Sequence, residues 1–352
     1  MYFRTICLSV LTLIVTGCSR PAPSSAEAQE APDKFVALTR TAYANGRLWL
    51  LDDSGVLFSL SETERVARKE PLPEKALDVC IRDGRVIALT GNAAGKTVTL
   101  RELSWGHWHG IGTIADRESN LSLLACSSQS ILIAGGQHVI KVENDMQTDI
   151  ALKTAISGSV AYRLSDQLYI GVNHGEWGGG LHRVDLRDGS VTTLGGAIKE
   201  PPCGGLLNAE CEVVTGIVEM PGAPDCLAVA SGLMHMSGSG SLYRVCGDKV
   251  SRLYDKRYHP SDVSDPDVYD TMPFLNLFRR GDILWATTAF DGVYAVSADG
   301  QARQQPVSGF RKVAPFDVSF AVPGIVVVRT DYYKRYAYPH SDSETIYLVT
   351  AR

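Results

Sequence analysis

A short apolar pattern that recurs along almost the whole chain constrains the fold more than any other feature. Its four positions hold an apolar residue, a residue that is usually aromatic, a variable residue and another apolar residue. The seven copies are Leu57–Leu60, Leu100–Leu103, Val139–Val142, Leu181–Val184, Leu242–Val245, Val293–Val296 and Ile346–Val349. A second β-rich run precedes each copy, starting at Leu48, Val86, Ile131, Leu168, Leu227, Leu284 and Ile325. The repeat of roughly 46 residues is typical of propeller blades.

Each repeat has room for four antiparallel strands, which we label A to D. Strand A is the run before a Gly/Asp turn, as in Leu77–Ile81 and Phe274–Phe278, B and C are the two recurring runs, and D follows the next hairpin. The sequence therefore predicts an all-β fold, a seven-bladed β-propeller of four-stranded antiparallel blades. The last copy ends after its C strand. Either Phe35–Leu38 supplies its fourth strand, or Phe35–Leu38 begins the first A strand and the last blade has three strands.

The N-terminus has the pattern of an export signal. Arg4 precedes the apolar run Ile6–Val15, which is too short to span a bilayer. The following Val15–Cys18 resembles the bacterial lipobox, which implies cleavage after residue 17 and lipidation of Cys18. The alternative is an ordinary signal peptide with an incidental cysteine. Ser19, by resemblance to Gram-negative lipoproteins, favours the periplasmic side of the outer membrane.

The remaining chain divides into a tether and one domain. Residues 18–33 are rich in Pro, Ala, Ser and Glu and predict a flexible tether, and residues 34–352 form the propeller. A net charge of −5 argues against nucleic acid as a partner, because a basic footprint is expected there. We expect a monomer that uses no cofactor and no metal.

Six of the eight cysteines remain once Cys7 is cleaved off and Cys18 is acylated. An exported protein meets an oxidising compartment, where disulfides persist. Cys226 starts the fifth B strand and Cys246 ends the fifth C strand, so the two face each other across the predicted hairpin. Cys203 and Cys211 flank a short loop and are the second predicted pair. Cys80 and Cys126 lie in neighbouring A strands. The sequence leaves two alternatives for this pair, a disulfide bridge and two buried free thiols.

Because strand direction alternates within a blade, the B–C loops and D–A connections lie on one face, which we call the loop face. The A–B and C–D turns lie on the opposite face, the turn face. The turn face has tight turns such as Asn45-Gly46 and Asp83-Gly84. The loop face carries the long insertions, which the sequence assigns to blades four to seven: residues 173–180, 197–211, 231–240, 255–272 and 331–343. Binding residues concentrate on long loops of a rigid scaffold.

These insertions are rich in the residue types that dominate interface energetics. The predicted binding residues are His174, Trp177, Tyr258, Tyr332, Tyr333 and Arg335. The alternative is that the aromatic side chains only pack the loops onto the propeller rim. A different function would make His174, Glu176 and His259 catalytic acid–base groups at the mouth of the channel.

Other motifs are weaker. Residues 91–97 look like a phosphate loop but join two strands and are one residue short, so they predict a hairpin turn. His107 and His109 could form a metal pair but have no identifiable third ligand. The acidic stretch Asp262–Asp270 lacks the EF-hand spacing and predicts a solvated loop. The tryptophans do not recur once per blade, and the Gly-His…Trp-Asp signature of WD40 repeats is missing.

The lipobox and the seven repeats together resemble bacterial β-propeller lipoproteins in a generic way. The sequence thus favours a non-enzymatic binding or scaffold lipoprotein that engages a protein or glycan partner in the periplasm through the loop face. An inhibitor or immunity-type protein is a subtype of this hypothesis. The alternative from another class is a propeller lyase or hydrolase that acts on cell-envelope polysaccharide.

Overall fold

The computed structural model describes residues 38–61, 68–91, 95–116, 120–196, 205–234, 238–259, 265, 269–288, 292–305, 318–319 and 328–329. The chain divides into two units, residues 1–34 and 35–352, and all described residues belong to the second. The predicted signal, the lipobox with Cys18 and the tether therefore lie outside the described residues. Within the described part, none of the helical structure has the length and apolar character of a membrane span.

The described residues form six antiparallel blade sheets, which succeed one another along the chain. Blade one contains β1 (Leu38–Ala44), β2 (Arg47–Asp52), β3 (Leu57–Ser61) and β4 (Arg68–Lys69). Blade two contains β5 (Lys75–Arg82), β6 (Arg85–Gly91), β7 (Thr97–Ser104) and β8 (His107–Ala115). Blade three contains β9 (Leu123–Cys126), β10 (Ile131–Glu143) and β11 (Met146–Ile156).

The other three blades each have four strands. Blade four contains β12 (Val160–Leu164), β13 (Gln167–Asn173), β14 (Gly179–Asp185) and β15 (Val191–Leu194). Blade five contains β16 (Val214–Met220), β17 (Ala223–Met234), β18 (Gly238–Cys246) and β19 (Lys249–Tyr254). A small ladder of β20 (Arg257–Tyr258) and β21 (Asp270–Thr271) follows. Blade six contains β22 (Phe274–Arg280), β23 (Ile283–Thr288), β24 (Val293–Ser297) and β25 (Ala302–Gln305).

The predicted β-propeller is confirmed, but the predicted number of seven blades is wrong, because the described part of the chain has six. Six of the seven apolar copies fall one to a blade, in β3, β7, β10, β14, β18 and β24. The seventh copy, Ile346–Val349, and the run at Ile325 lie outside the described residues. Beyond blade six the structure describes only the two-residue ladder of β26 (Val318–Ser319) with β27 (Val328–Arg329). A four-residue pattern that fits any apolar strand therefore overcounted the blades.

Blade three departs from the four-strand pattern because its predicted B and C runs lie in one continuous strand. Residues Ile131–Ala134 of β10 pair with β9, and the part from Gly136 onward pairs with β11. No turn separates the two runs at Gly135-Gly136. A Cβ at Gly135 would lie 1.9 Å from the Asn120 carbonyl oxygen, so this glycine permits a close backbone contact. Gly136, with φ +58°, lies where the register shifts.

The first strand of each blade is innermost. Contacts between neighbouring blades join β1 to β5, β5 to β9, β9 to β12, β12 to β16 and β16 to β22. Leu38 is the first residue of β1, the inner strand of blade one, whereas Phe35–Ala37 lie outside the described residues. Five apolar clusters fill the spaces between successive blades. For example, Leu89 of blade two packs in one cluster with Ile133 of blade three. Packing between blades thus supplies the core.

A buried carboxylate joins the inner strands of three blades. Asp78 of β5, whose side chain is 1% exposed, accepts a hydrogen bond at 2.7 Å from Arg40 Nε of β1. Its other oxygen accepts from the Leu124 backbone N–H of β9 at 2.7 Å. Arg40 Nη2 also donates to this second oxygen, Oδ2, at 3.3 Å, and the Val79 N–H donates to the first oxygen, Oδ1, at 2.8 Å. Asp78 therefore links blades one, two and three, a role that its sequence position did not reveal.

The disulfide prediction for blade five is confirmed. Cys226 and Cys246 are direct partners in the β17–β18 ladder and are bonded to each other. Cys80 of β5 and Cys126 of β9 are also bonded, which resolves the open alternative in favour of a bridge between blades two and three. Cys211 is disulfide-bonded as well. Cys203, its predicted partner, lies outside the described residues.

Candidate binding face and central cavity

The loop between β13 and β14 is a single 3₁₀ turn, Gly175–Trp177, on the loop face. Asn173 Oδ1 accepts a hydrogen bond from the Gly175 N–H at 3.0 Å and fixes the start of the turn. The His174 N–H donates to the Gly178 carbonyl at 3.0 Å and closes it. Gly175 has φ +63°, a conformation that glycine adopts without steric cost. The Asn–His–Gly sequence therefore sets a compact, defined turn.

The three glycines that follow hold this turn against the connection between blades four and five. The Gly179 N–H donates to the Ala209 carbonyl at 2.9 Å, and the Gly180 N–H donates to the Glu212 carbonyl at 2.7 Å. A Cβ at Gly178 would lie 2.7 Å from the Ala209 carbonyl oxygen. Any side chain there would force the two backbones apart. The run of three glycines is thus required by packing.

The connection itself is fixed by a buried polar network. Asn208, 1% exposed, accepts from the Glu210 N–H at 2.9 Å, and its own N–H donates to Glu212 Oε2 at 2.9 Å. The Tyr243 hydroxyl donates to Glu212 Oε1. Burial, and then the Glu212 carboxylate, raise the pKa of Tyr243, which keeps the phenol protonated as a donor. Sequence reasoning missed this network, since no local motif marks it.

Trp177 is the most prominent group on this turn, because its side chain is 82% exposed. It therefore does not serve to pack the loop onto the rim, which was the alternative for the aromatic residues. His174 in the same turn has its Nε2 3.4 Å from Ser157 Oγ, on the connection between blades three and four. The backbone contacts, rather than the indole, hold the loop in place.

Tyr258, unlike Trp177, packs its own loop onto the propeller, as the alternative for the aromatic residues expects. It is partly buried in β20, and its hydroxyl donates to Asp270 Oδ2 at 3.3 Å. The same carboxylate oxygen accepts from the Gly238 N–H at 2.9 Å, and Thr271 Oγ1 accepts from the Gly240 N–H at 3.0 Å. The β20–β21 ladder is therefore anchored to the start of β18, with Tyr258 as part of the anchor.

His259 and Tyr269 lie next to this ladder. His259 Nε2 is 2.8 Å from the Asp265 carbonyl oxygen, and the ring meets Tyr269 edge to face with centroids 5.9 Å apart. Tyr269 is 55% exposed and was not singled out from the sequence. His174 and His259, the imidazoles of the catalytic alternative, thus contact different partners on different connections. Within the described ranges, no group of three potential metal ligands is present.

A central cavity of about 520 Å³ runs between the inner strands of all six blades. Short consecutive stretches of each inner strand line it, for example Val79–Ile81 of β5 and Thr215–Ile217 of β16. Consecutive residues of a strand point to opposite faces, so this lining shows that strand edges border the cavity. Each inner strand is also the end strand of its sheet.

The cavity extends to the loop face. Asn173 and Gly175 line it, and so do Gly232 and Leu233 near the end of β17. The 3₁₀ turn contacts β17, while the β20–β21 ladder contacts the start of β18. The turn that carries Trp177 and the ladder therefore lie against adjacent strands of blade five. The predicted Tyr332, Tyr333 and Arg335 lie outside the described residues.

The turn face has an exposed tryptophan of its own. Trp105, 96% exposed, occupies the β7–β8 turn with φ +52° and is followed by Gly106. Positive φ at both central residues is typical of a type I′ hairpin turn. The rings of His107 and His109 lie 6.5 Å apart on β8, and both residues are exposed. This face offers Trp105 as a comparison for Trp177.

No protein-family model matches this chain, and no curated protein matches it in sequence. Solved structures share its fold. The extracellular domain of a one component system from B. thetaiotaomicron has a TM-score of 0.52 at 12% identity, covering 84% of this chain and 37% of that one. A chain of the Mitotic Checkpoint Complex has a TM-score of 0.51 at 12% identity, covering 88% and 93%. The Pan2 WD40 domain of Neurospora crassa has a TM-score of 0.50 at 11% identity, covering 83% and 86%.

At these identities the comparisons show the β-propeller fold alone. The chain spans about 37% of the length of the B. thetaiotaomicron domain that it matches. The comparisons agree with the predicted β-propeller and do not bear on its predicted number of blades.

Proposed function

We propose that this protein is a non-enzymatic binding protein that engages a protein or glycan partner through its loop face. The observation that carries the proposal is the 82% exposure of Trp177 on a turn held by backbone hydrogen bonds. A large aromatic side chain that its own protein leaves mostly uncovered exposes apolar area to water. Such groups, when held in a fixed position, are typical anchors of binding surfaces.

The rigid support of Trp177 strengthens the proposal. Binding costs less conformational entropy when the contact residues are already in place. The three glycines and the network of Asn208 with Glu212 fix the turn before any partner arrives. Tyr269, next to the β20–β21 ladder, adds a second exposed aromatic side chain. Tyr332, Tyr333 and Arg335 remain proposed members of the same surface.

We also propose that the protein is exported and lipid-anchored at the periplasmic side of the outer membrane. The bridges Cys80–Cys126 and Cys226–Cys246 support an oxidising compartment. The lipobox pattern ending at Cys18 supports the anchor. Replacing Cys18 by Ala should move the protein from the membrane fraction to the soluble fraction of fractionated cells. Continued membrane association of this variant would contradict lipid anchoring.

The binding proposal is tested by paired tryptophan variants of the full-length protein. Partners are captured from cell-envelope extract, identified, and their affinity for each variant is measured. Trp177→Ala should weaken binding roughly thirtyfold, because truncating an anchor costs about 2 kcal/mol or more. Trp105→Ala, which removes an even more exposed indole from the turn face, should leave the affinity unchanged. Arg187→Ala on the turn face is a second control.

The melting temperature of each variant separates binding from folding. An exposed indole contributes little to stability, so Trp177→Ala should melt close to the unchanged protein. A lower melting temperature with unchanged affinity would show that Trp177 supports the loop and is not a contact. Unchanged affinity at an unchanged melting temperature would exclude this part of the loop face as the binding site.

A further inference from the structure

We propose that the central cavity has an oxyanion site at its turn-face end, where the Arg163 guanidinium binds a carboxylate or phosphate group of a small molecule. This inference goes beyond the proposed loop-face binding and does not rest on it, because the two sites belong to opposite faces of the propeller. Three observations support it: the uncharged partners of Arg163, the donors that they leave unused, and the charge balance of the described cavity lining.

Arg163 lies near the end of β12 and lines the cavity. Its Nε–H donates to the Ser165 carbonyl at 3.0 Å, in the turn between β12 and β13. Its Nη1 donates to the Ser127 hydroxyl at 3.1 Å and to the Ser130 hydroxyl, both in the connection between β9 and β10. These two connections belong to the turn face. The guanidinium is therefore held between blades three and four at that end of the cavity.

The hydrogen bonds of Arg163 leave part of its guanidinium unused. A guanidinium has five N–H donors, and the three on Nε and Nη1 are used by oxygens of Ser165, Ser127 and Ser130. Among the described residues, none accepts a hydrogen bond from Nη2. The three partners are uncharged, so the positive charge has no counterion there. A carboxylate or phosphate oxygen is the strongest acceptor for such a donor, and it would supply the missing negative charge as well.

The surroundings of Arg163 do not supply an anion. The described residues of the cavity lining include Arg40 as the other cation and no carboxylate. Asp78 binds the Arg40 guanidinium with both oxygens, at 2.7 and 3.3 Å, so this charge is offset within the fold. Lys141 pairs with Glu143 at 2.6 Å and is the main cause of its lowered pKa, to which Arg163 contributes least. The lining therefore keeps one net positive charge, at Arg163.

The inner edge of β12 adds uncharged donors beside this charge. Leu164 and Gln167 pair directly across a two-residue turn, and such a closing pair exchanges both of its backbone hydrogen bonds. The peptide groups of Tyr162 therefore also point to β13, whereas those of Ala161 and Arg163 point to the cavity. Each of these two residues presents one N–H and one C=O, so the edge itself is neutral. The sign of the site comes from the guanidinium.

The size of the cavity suits a small organic anion. Its volume of about 520 Å³ lies within the range of roughly 300–1,000 Å³ that small-molecule sites occupy. Carboxylates and phosphates share the chemistry that an arginine recognises, so both classes enter the test.

The test is isothermal titration calorimetry of the purified full-length protein at constant low ionic strength. The probes are succinate, citrate and inorganic phosphate, with succinamide as an uncharged analogue of succinate. We expect saturable binding of at least one anion and none of succinamide. The stronger binder among the carboxylates and phosphate then identifies the class of ligand. No saturable binding of any of the three anions would overturn the proposal, as would equal binding of succinamide and succinate.

Arg163→Gln removes the proposed cation. It should weaken binding of the best anion tenfold or more, which corresponds to about 1.4 kcal/mol. Arg183→Gln is the matched control, because Arg183 belongs to the same blade, pairs with Asp248 at 2.8 Å and does not line the cavity. It should bind the anion as the unchanged protein does. Equal affinities of the two folded variants would overturn the assignment to Arg163.

A second variant keeps Arg163 and fills the site from within. Ser127 Oγ accepts from the Ser130 N–H at 3.1 Å and from Arg163 at 3.1 Å. Ser127→Asp keeps an acceptor for both donors and gives the guanidinium a counterion. Its melting temperature should be no lower than that of the unchanged protein, and anion binding should be lost. This variant decides the question even where Arg163→Gln does not fold, because unchanged anion affinity in folded Ser127→Asp protein would overturn the proposal.

Discussion

Replacing Asp78 by Ala should be among the most destabilising single changes in the propeller. The side chain is 1% exposed and accepts hydrogen bonds from the inner strands of blades one and three as well as from its own strand. Its removal leaves the Arg40 guanidinium, 20% exposed, without its carboxylate partner. It also leaves the Leu124 N–H without its acceptor in a buried position.

The contacts of Asp78 determine how much stability its removal should cost. Removing one partner of a buried ion pair costs about 3–5 kcal/mol, and leaving a buried N–H without an acceptor costs about 1–3 kcal/mol. The two penalties overlap, and the partial exposure of Arg40 lets water solvate part of the charge. We therefore expect the free energy of unfolding to fall by about 3–5 kcal/mol. Asp78→Asn keeps an acceptor and should cost less than Asp78→Ala.

Urea denaturation of the full-length protein, followed by tryptophan fluorescence, measures this change when the m values of the variants agree. Asp248→Ala is the matched control. Asp248 also pairs with an arginine of the neighbouring blade, Arg183, at 2.8 Å, but its side chain is 79% exposed. Surface pairs are worth only about 0–1 kcal/mol. If Asp78→Ala cost no more than Asp248→Ala, the argument that Asp78 holds three blades together would be refuted.

Two further predictions concern a disulfide and an ion pair. Cys226→Ala should lower the free energy of unfolding by roughly 2–5 kcal/mol, and Cys246 should become reactive to a thiol reagent in the folded variant. A Cys246 thiol that reacts in the unchanged protein would contradict the bridge. The hydrogen bond from Lys153 Nζ, at 2.7 Å, is the main cause that lowers the pKa of Asp188 to about 2. The folded pKa lies below the unfolded value, so the stability that Asp188 adds is present near neutral pH and is lost as the pH falls toward 2. The difference in denaturation midpoint between the unchanged protein and Asp188→Asn should therefore shrink over this pH range, and a constant difference would refute it.

Local sequence signals predicted most of each blade. Asn45-Gly46 and Asp83-Gly84 adopt positive φ at both residues, as their sequences predict for tight hairpin turns. The position of Cys226 relative to Cys246 gave the register of β17 with β18 correctly. These features depend on residues close together in the chain. Their physical causes are the turn-forming residues and the alternation of side chains along a strand. Both can be read from a few consecutive positions.

The missed features depend on partners that are distant in the chain. Asp78 finds Arg40 and Leu124 at separations of 38 and 46 residues, and nothing in the local sequence indicates either contact. The glycines at 135–136 look like a turn, but one permits a close backbone contact with Asn120 and the other lies at a register shift. The cavity wall is made of backbone edges, which leave no residue-type signal. The blade count failed because a four-residue pattern does not test whether four strands assemble.

The five apolar clusters between successive blades make the energetics of the propeller one-dimensional. Each cluster is shared by two neighbouring blades, as with Leu89 and Ile133 between blades two and three, or Ala228 and Leu284 between blades five and six. Damage at the first of these interfaces reaches the second only through the blades in between. Substitutions in the two should then change stability additively, as for distant sites without shared partners. A mutation in one blade of such a propeller therefore requires compensating changes only in the blades next to it.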